Sequence, residues 1–285
     1  MQLPENRRPL LKQALQRGDF IRAIEAHNGL SAGIIESLKN QDSHFNAIWI
    51  SSLTESVSRG FCDNEYLNLP SRFQTINEVM GNTSLPLIYD ADSGSYAEHL
   101  TRTVIDLERL GVSAIVIEDK QGFKVNSLTE KDDLQKQLDP HEFSEKIKIA
   151  QKAKSTSDFL VIARIETFPL GGKLEDALLR AKMYAKAGAD IIMIHSKESE
   201  FTQVREFATQ YKESKPLMIV PSTYFNYTEE MAKEDGVQMV IYANQLLRSA
   251  YQAMSGCAQE ILSEGHAKSI QSKLASVKDI LNLKA

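Results

Sequence analysis

Apolar residues gather along this chain in short uninterrupted runs, and between the runs they recur every three or four positions. The runs are FIRAIEAH (20–27), NAIWISS (46–52), LPLIYDAD (85–92), SAIVIED (113–119), FLVIARIE (159–166), ADIIMIHSK (189–197), LMIVPS (217–222) and QMVIYAN (238–244). Runs of this kind fit strands buried on both faces, not a sheet with one wet side. The intervening segments have helical spacing. In AEHLTRTVIDLERLG (97–111), Leu100, Val104, Leu107 and Leu110 share a face and Gly111 supplies a C-cap. LEDALLRAKMYAKAG (174–188) repeats the pattern with Leu178, Ala181, Tyr184 and Ala185 inward and Gly188 at the end. Strand followed by helix, eight times over, predicts an α/β fold: a (β/α)8 TIM-type barrel of parallel strands. The structural rival is an open doubly wound sheet, but no Gly-x-Gly-x-x-Gly follows the first strand. A short amphipathic helix carrying Leu10, Leu11 and Leu15 precedes the barrel and stops at Gly18. We expect one barrel domain over 1–285. Its last part, 245–285, is a helical tail broken around Ser263 to Gly265 and longer than a barrel needs, so it predicts packing between subunits of a homo-oligomer.

Composition narrows the function classes. The 285 residues are 42% hydrophobic and 25% charged, enough for a sizeable core, and a formal net charge of −5 offers no basic footprint for nucleic acid. Cys62 and Cys257 are too few for a disulfide framework. The N-terminal stretch lacks a signal-peptide core and no apolar run reaches membrane-span length, so a cytoplasmic location without membrane contact is expected.

Barrels of this kind carry their chemistry at the C-terminal ends of the strands. Those ends hold Trp49, Ser51 and Ser52; Asp90 and Asp92; Glu118 and Lys120; Arg164 and Glu166; His195, Ser196 and Lys197; Ser222; and Asn244. Asp90 and Asp92 read alone as caps or turn formers. Beside Glu118, on the next strand, they read as a carboxylate cluster that repels itself unless a cation sits within it, and Mg²⁺ suits such oxygen ligands. The acidic arc faces a basic one, which suits a metal bound to a small, multiply negative substrate. His195, with Ser196 and Lys197 behind it, favours phosphate or carboxylate binding over the usual buried imidazole. Cys62 is read as a small buried residue, since no partner base is apparent.

Taken in order, GLSAGIIE near residue 29, NAIWISSLTESVSRGFCD, LIYDAD, IEDKQGFKVNSL (117–128), VIARIETF, ADIIMIHSK, VPSTYF and VIYANQLLR resemble the phosphoenolpyruvate mutase and isocitrate lyase superfamily over nearly the whole chain. The resemblance implies a barrel whose last helix is swapped with a neighbouring subunit, a tetramer more readily than a dimer, Mg²⁺ as cofactor, and an α-keto or enol acid as substrate. Lyases of this group carry a Lys-Lys-Cys-Gly-His loop. Here Gln121 to Ser127 has neither cysteine nor histidine, whereas Glu118, Asp119, Lys120, Lys124, Asn126 and Ser127 match the mutase pattern. Related phosphonopyruvate hydrolases tend to carry threonine in place of the asparagine. The implied activity is therefore interconversion of phosphoenolpyruvate and phosphonopyruvate, which makes the carbon–phosphorus bond of phosphonate biosynthesis. The rivals are phosphonopyruvate hydrolysis, a lyase acting on an oxaloacetate-like acid, and a catalytically silent barrel that binds a phospho-acid.

The same resemblance implies roles. Asp90, Asp92 and Glu118 hold the metal. Trp49, Ser51, Ser52 and Leu53 meet the carboxylate and planar carbon fragment. Arg164, His195 and Asn126 hold the phosphoryl oxygens. Lys120, Lys124 and Ser127 belong to a closing segment that Asp63 anchors, the alternative for Asp63 being direct contact with the phosphoryl group. Two departures fall in loops that cover the site: Gly122-Phe123 replaces Phe-Pro, and Asp92-Ser93-Gly94-Ser95-Tyr96 replaces Asp-Thr-Gly-Tyr-Gly.

Overall fold

The computed structural model describes residues 2–38, 43–122, 124 and 135–282. Its strands are β1 (Ile21–Glu25), β2 (Ala47–Ile50), β3 (Leu87–Asp90), β4 (Ala114–Glu118), β5 (Lys120–Gln121), β6 (Lys136–Gln137), β7 (Leu160–Ile165), β8 (Ile191–Ile194), β9 (Leu217–Ile219) and β10 (Met239–Tyr242). All except β5 and β6 close into one parallel barrel in the order β1-β10-β9-β8-β7-β4-β3-β2, so every apolar run became a barrel strand. The helices begin with α1 (Pro4–Arg7), α2 (Leu10–Gln16), α3 (Gly29–Ser37), α4 (Ser52–Ser58), α5 (Leu69–Asn82) and α6 (Ala97–Leu110). They continue with α7 (Pro140–Ala153), α8 (Leu174–Ala187), α9 (Thr202–Gln210), α10 (Glu229–Glu234), α11 (Gln245–Glu264) and α12 (Val277–Leu281).

Two apolar layers result from the two-residue period of the strands. Outward residues such as Ile48, Tyr89, Ile115, Val161 and Ile192 pack against the helix ring, which offers Leu100, Val104, Leu107, Ala177, Ala181 and Tyr184. Inward residues, Ile21, Ala23, Ala47, Trp49, Ile88, Ala114, Val116, Ile162, Ile191 and Met193 among them, fill the axis together with Leu11 and Ala14 of α2. The N-terminal helix thus seals the bottom of the barrel. It is split from α1 around Pro9, which has no amide to donate, where the apolar spacing alone predicted one helix. Gly111 and Gly188 cap α6 and α8 with φ of 90° and 108°, as their positions predicted. Gly111 is needed twice over, because a Cβ there would lie 2.6 Å from the Pro4 Cα.

Three elements escape the sequence pattern. The helix α4 is mostly polar and has no apolar stripe to reveal it. The antiparallel pair β5 and β6 is two residues long on each side, with Lys120 opposite Gln137. The tail ends α11 at Gly265, near the predicted break, and no residue of α11 or α12 is buried. Among the described residues no helix is long and apolar enough to cross a membrane.

Candidate active site

The inward parity of each strand, continued past its last residue, places the chemistry. Ile88 leads to Asp90, Val116 to Glu118, Ile162 to Arg164 and Glu166, Met193 to His195, and Trp49 to Ser51. Ladder register then sets neighbours side by side, with Asp90 opposite Val116 and Glu118 opposite Arg164. The result is a small pocket lined by Trp49, Ser51, Leu53, Asp63, Asp90, Lys124, Arg164, His195 and Asn244 among others.

Asp90, Asp92 and Glu118 each offer a carboxylate oxygen, and the three oxygens lie within 4.8 Å of one another. Neither aspartate caps a helix, the cap position of α6 belonging to Tyr96, but Asp92 does lie in the turn that the Gly94 amide closes on the Ala91 carbonyl at 2.9 Å, so the duller reading holds for the turn and not for the cap. Asp92 has left-handed backbone, φ 53°, a conformation that aspartate tolerates better than most residues. It is held there from both sides. Its amide donates to Asp90 Oδ1 at 3.2 Å, and its carbonyl accepts from the Glu118 amide at 2.8 Å. Behind the pair lies Arg72 of α5, fully enclosed. Its Nη1 is 3.2 Å from Asp92 Oδ2, its Nη2 donates to the Asp90 carbonyl at 2.6 Å, and its Nε pairs with Glu55 at 2.8 Å. The guanidinium rests over the Tyr89 ring, 4.3 Å from the centroid. Nothing in the sequence marked Arg72 or Glu55, because helix positions carry no strand parity.

The basic side is equally tied. Arg164 Nε is 2.5 Å from Glu166 Oε1 and its Nη1 is 3.2 Å from Glu118 Oε1. His195 Nε2 is 2.7 Å from the same Glu166 oxygen. A contact that short to a carboxylate needs a proton on Nε2, which fixes the tautomer. Burial pushes the His195 imidazole down and the Glu166 charge opposes it, so the ring is neutral. Glu166, one of the strand-end residues, therefore orients both phosphate-binding candidates. Burial works against its charge, yet Arg164, His195 and Lys120 together hold it well below the usual carboxylate range.

Lys120 departs from the expectation. It lies in β5, 2% exposed, with Nζ 3.1 Å from Glu118 Oε2 and 3.0 Å from Glu166 Oε2. It therefore bridges the acidic and basic arcs, where the resemblance implied a place in a covering segment. Its neighbour Asp119 points the other way. There its carboxylate accepts from the Tyr184 hydroxyl at 2.7 Å, from Gln137 Nε2 at 2.8 Å, and from the Glu166 amide at 2.8 Å. That locks the ends of β4 and β7 to β6.

Lys124 is placed and Asn126 and Ser127 lie outside the described residues. The Lys124 ammonium is 2.6 Å from Asp92 Oδ1 and 3.3 Å from Asp63 Oδ1, which places Asp63 as its counter-ion. Ser52 Oγ donates to Asp90 Oδ2 at 3.1 Å and also receives Lys124. Ser51 lines the pocket, but its Oγ accepts from the Thr54 amide as the N-cap of α4, which turns the first amides of that helix toward the same region.

Among the described residues the linked set contains Glu55, Asp63, Asp90, Asp92, Glu118 and Glu166 against Arg72, Lys120, Lys124 and Arg164, a formal excess of two acidic groups. Burial pushes the Asp90 carboxyl up, Lys124 opposes this, and the charges of Asp92 and Glu118 add to it. Burial also disfavours charge on Glu118, but Arg164 and Lys120 outweigh it and keep that carboxyl low. Both Glu118 oxygens are buried and make ion-pair contacts without a well-directed hydrogen bond. Three convergent hard oxygens with a charge deficit of this sign fit Mg²⁺.

The comparisons agree with this geometry. The family model for phosphoenolpyruvate phosphomutase matches residues 11–262. A phosphoenolpyruvate phosphomutase of Tetrahymena pyriformis is 34% identical over 275 residues, covering 96% of this chain and 89% of that protein. The crystal structure of a phosphoenolpyruvate phosphomutase from Streptomyces platensis subsp. rosaceus superposes with a TM-score of 0.92 at 31% identity, covering 97% of this chain and 94% of that one. A phosphonopyruvate hydrolase solved with oxalate and Mg²⁺ superposes at 0.86 and 33% identity, covering 96% and 93%. Mutase and hydrolase relatives thus stand at nearly equal distance. With its closed parallel barrel and carboxylate cluster at the strand ends, the chain belongs to the phosphoenolpyruvate phosphomutase family.

Proposed function

We propose that the protein interconverts phosphoenolpyruvate and phosphonopyruvate. The observation that carries this reading is a small pocket that reaches a carboxylate cluster, Asp90, Asp92 and Glu118, through Asp90 on one side and has Arg164 with His195 on the other, the two sides joined by Glu166 and Lys120. In the forward direction the enol P–O bond breaks, a C–P bond forms at carbon 3, and the enol oxygen becomes a ketone; no proton or water is consumed. Bound Mg²⁺, held by Asp90, Asp92 and Glu118, would supply a Lewis acid for the oxygens of the enol acid. The substrate carboxylate meets the first amides of α4 near Ser51, Ser52 and Leu53, where unsatisfied N–H groups favour an anion. Trp49 flanks the planar carbons. Arg164, with His195 beside it, holds the phosphoryl oxygens as charge spreads over them, both side chains already aimed by Glu166. Lys124 and Asp63 line the same pocket, and the resemblance assigns Asn126 and Ser127 to the same side. Asn126 and the lack of a cysteine or histidine between Gln121 and Ser127 favour the mutase over hydrolase and lyase.

The expected result is that phosphonopyruvate and Mg²⁺ incubated with the protein give phosphoenolpyruvate by phosphorus NMR. Inorganic phosphate and pyruvate instead would assign the chain to the hydrolase branch, and binding without turnover to a silent barrel.

We also propose that the 245–285 tail packs on further copies of the chain, giving a homotetramer in the cytoplasm. Support comes from α11 and the residues after it, which hold Tyr251, Met254, Leu262, Val277 and Leu281 at 62 to 86% exposure. Light scattering is expected to return four times the 32.0 kDa chain mass, and a monomer at micromolar concentration would overturn the assignment.

A further inference from the structure

Lys124 stands inside the carboxylate cluster, not beside it. Its ammonium is 2.6 Å from Asp92 Oδ1, 3.8 Å from Glu118 Oε1 and 3.9 Å from Asp90 Oδ2, so it reaches all three residues whose oxygens converge. Asp63 at 3.3 Å completes an acidic coat around it. Four carboxylates thus surround one ammonium.

A Mg²⁺ ion binds carboxylate oxygens at about 2.1 Å. An ion seated on oxygens that the ammonium already contacts would lie within roughly 4 Å of it, at a buried place where repulsion between cations is poorly screened. The two cannot share the seat. We propose that the Lys124 side chain is a tethered competitor for the divalent cation: metal entry and withdrawal of the ammonium from Asp90, Asp92 and Glu118 are one event. The inference rests on the metal reading given above and deepens it. The four-carbon stem of lysine lets the charge leave while the backbone stays. The pocket that Lys124 lines together with Asp63 lies alongside, on the side of the anionic substrate. The same charge is thus held by the carboxylates before the metal arrives and released toward the substrate after it.

The test is metal binding, independent of turnover. Mn²⁺ titration followed by electron paramagnetic resonance is expected to show Lys124→Gln binding at least tenfold more tightly than the natural protein, while Lys148→Gln, a change at an exposed lysine paired with Glu145, leaves affinity unaltered. Equal or weaker binding by Lys124→Gln overturns the inference alone. Mn²⁺ that binds neither protein overturns the inference and the metal reading together. The natural sequence offers a second measurement should the variant fold poorly. Acetylation of the Lys124 amine by acetic anhydride, followed by mass spectrometry, is expected to speed up severalfold when Mn²⁺ is added without substrate; an unchanged or slower rate contradicts the displacement.

Discussion

Asp90→Asn is expected to lower turnover by about 10³-fold or more and to weaken Mn²⁺ binding at least tenfold, with no loss of thermal stability. Asp90 ends β3 on the inward parity, and its side chain is the member of the cluster nearest the pocket axis by virtue of lining it. Asparagine keeps an oxygen for the Asp92 amide, its amide nitrogen donates to the Ser52 hydroxyl in place of accepting from it, and the backbone carbonyl that accepts from Arg72 is untouched, so local geometry survives. What it loses is one charge on the metal. A Lewis acid is worth several kcal/mol of transition-state stabilisation, and about 4 kcal/mol corresponds to the stated factor. Stability holds because burial and the neighbouring charges of Asp92 and Glu118 already disfavour ionised Asp90. Turnover within tenfold of the natural protein, measured at saturating Mg²⁺, would remove Asp90 from the metal centre.

The second large effect separates the phosphoryl side from the metal. Arg164→Gln is expected to reduce kcat by about 10²- to 10³-fold, the usual loss on removing a donor aimed at developing negative charge. Mn²⁺ affinity should stay level or rise, because Glu118 then gives up a cation 3.2 Å from its Oε1. Glu166 loses its 2.5 Å partner but keeps His195 and Lys120, so the variant is expected to fold with a lowered Tm. Parallel loss of metal binding and turnover would make Arg164 a structural brace for Glu118.

The barrel was legible because a buried parallel strand has to be apolar on both faces, and each of the eight runs satisfied that condition. The site was legible for the same reason in reverse. Asp90, Glu118, Arg164 and His195 are polar residues on the inward parity of apolar strands, where only a ligand or an ion pair sustains them. What stayed hidden are the supports. Arg72 lies in an amphipathic helix whose polar positions normally face water, and only the tertiary fold turns it under Asp92. Glu166 was visible as a strand-end carboxylate, but its grip on Arg164 and His195 depends on the register of β7 and β8. Lys120 was placed in the covering segment by the resemblance, and its ion pairs with Glu118 and Glu166 depend on tertiary contacts that spacing does not reveal.

The plug formed by Leu11 and Ala14 beneath the inward layer has a bearing on the fate of the migrating group. With the axis stoppered at one end by a helix, the proposed reaction runs in a cul-de-sac. Whatever fragment forms there meets Lys124 and Asp63 on the pocket wall. Whether phosphorus lands on carbon or escapes to water is then decided at the C-terminal ends of the strands, and the plugged lower half of the barrel contributes by closing the axis to solvent among the described residues.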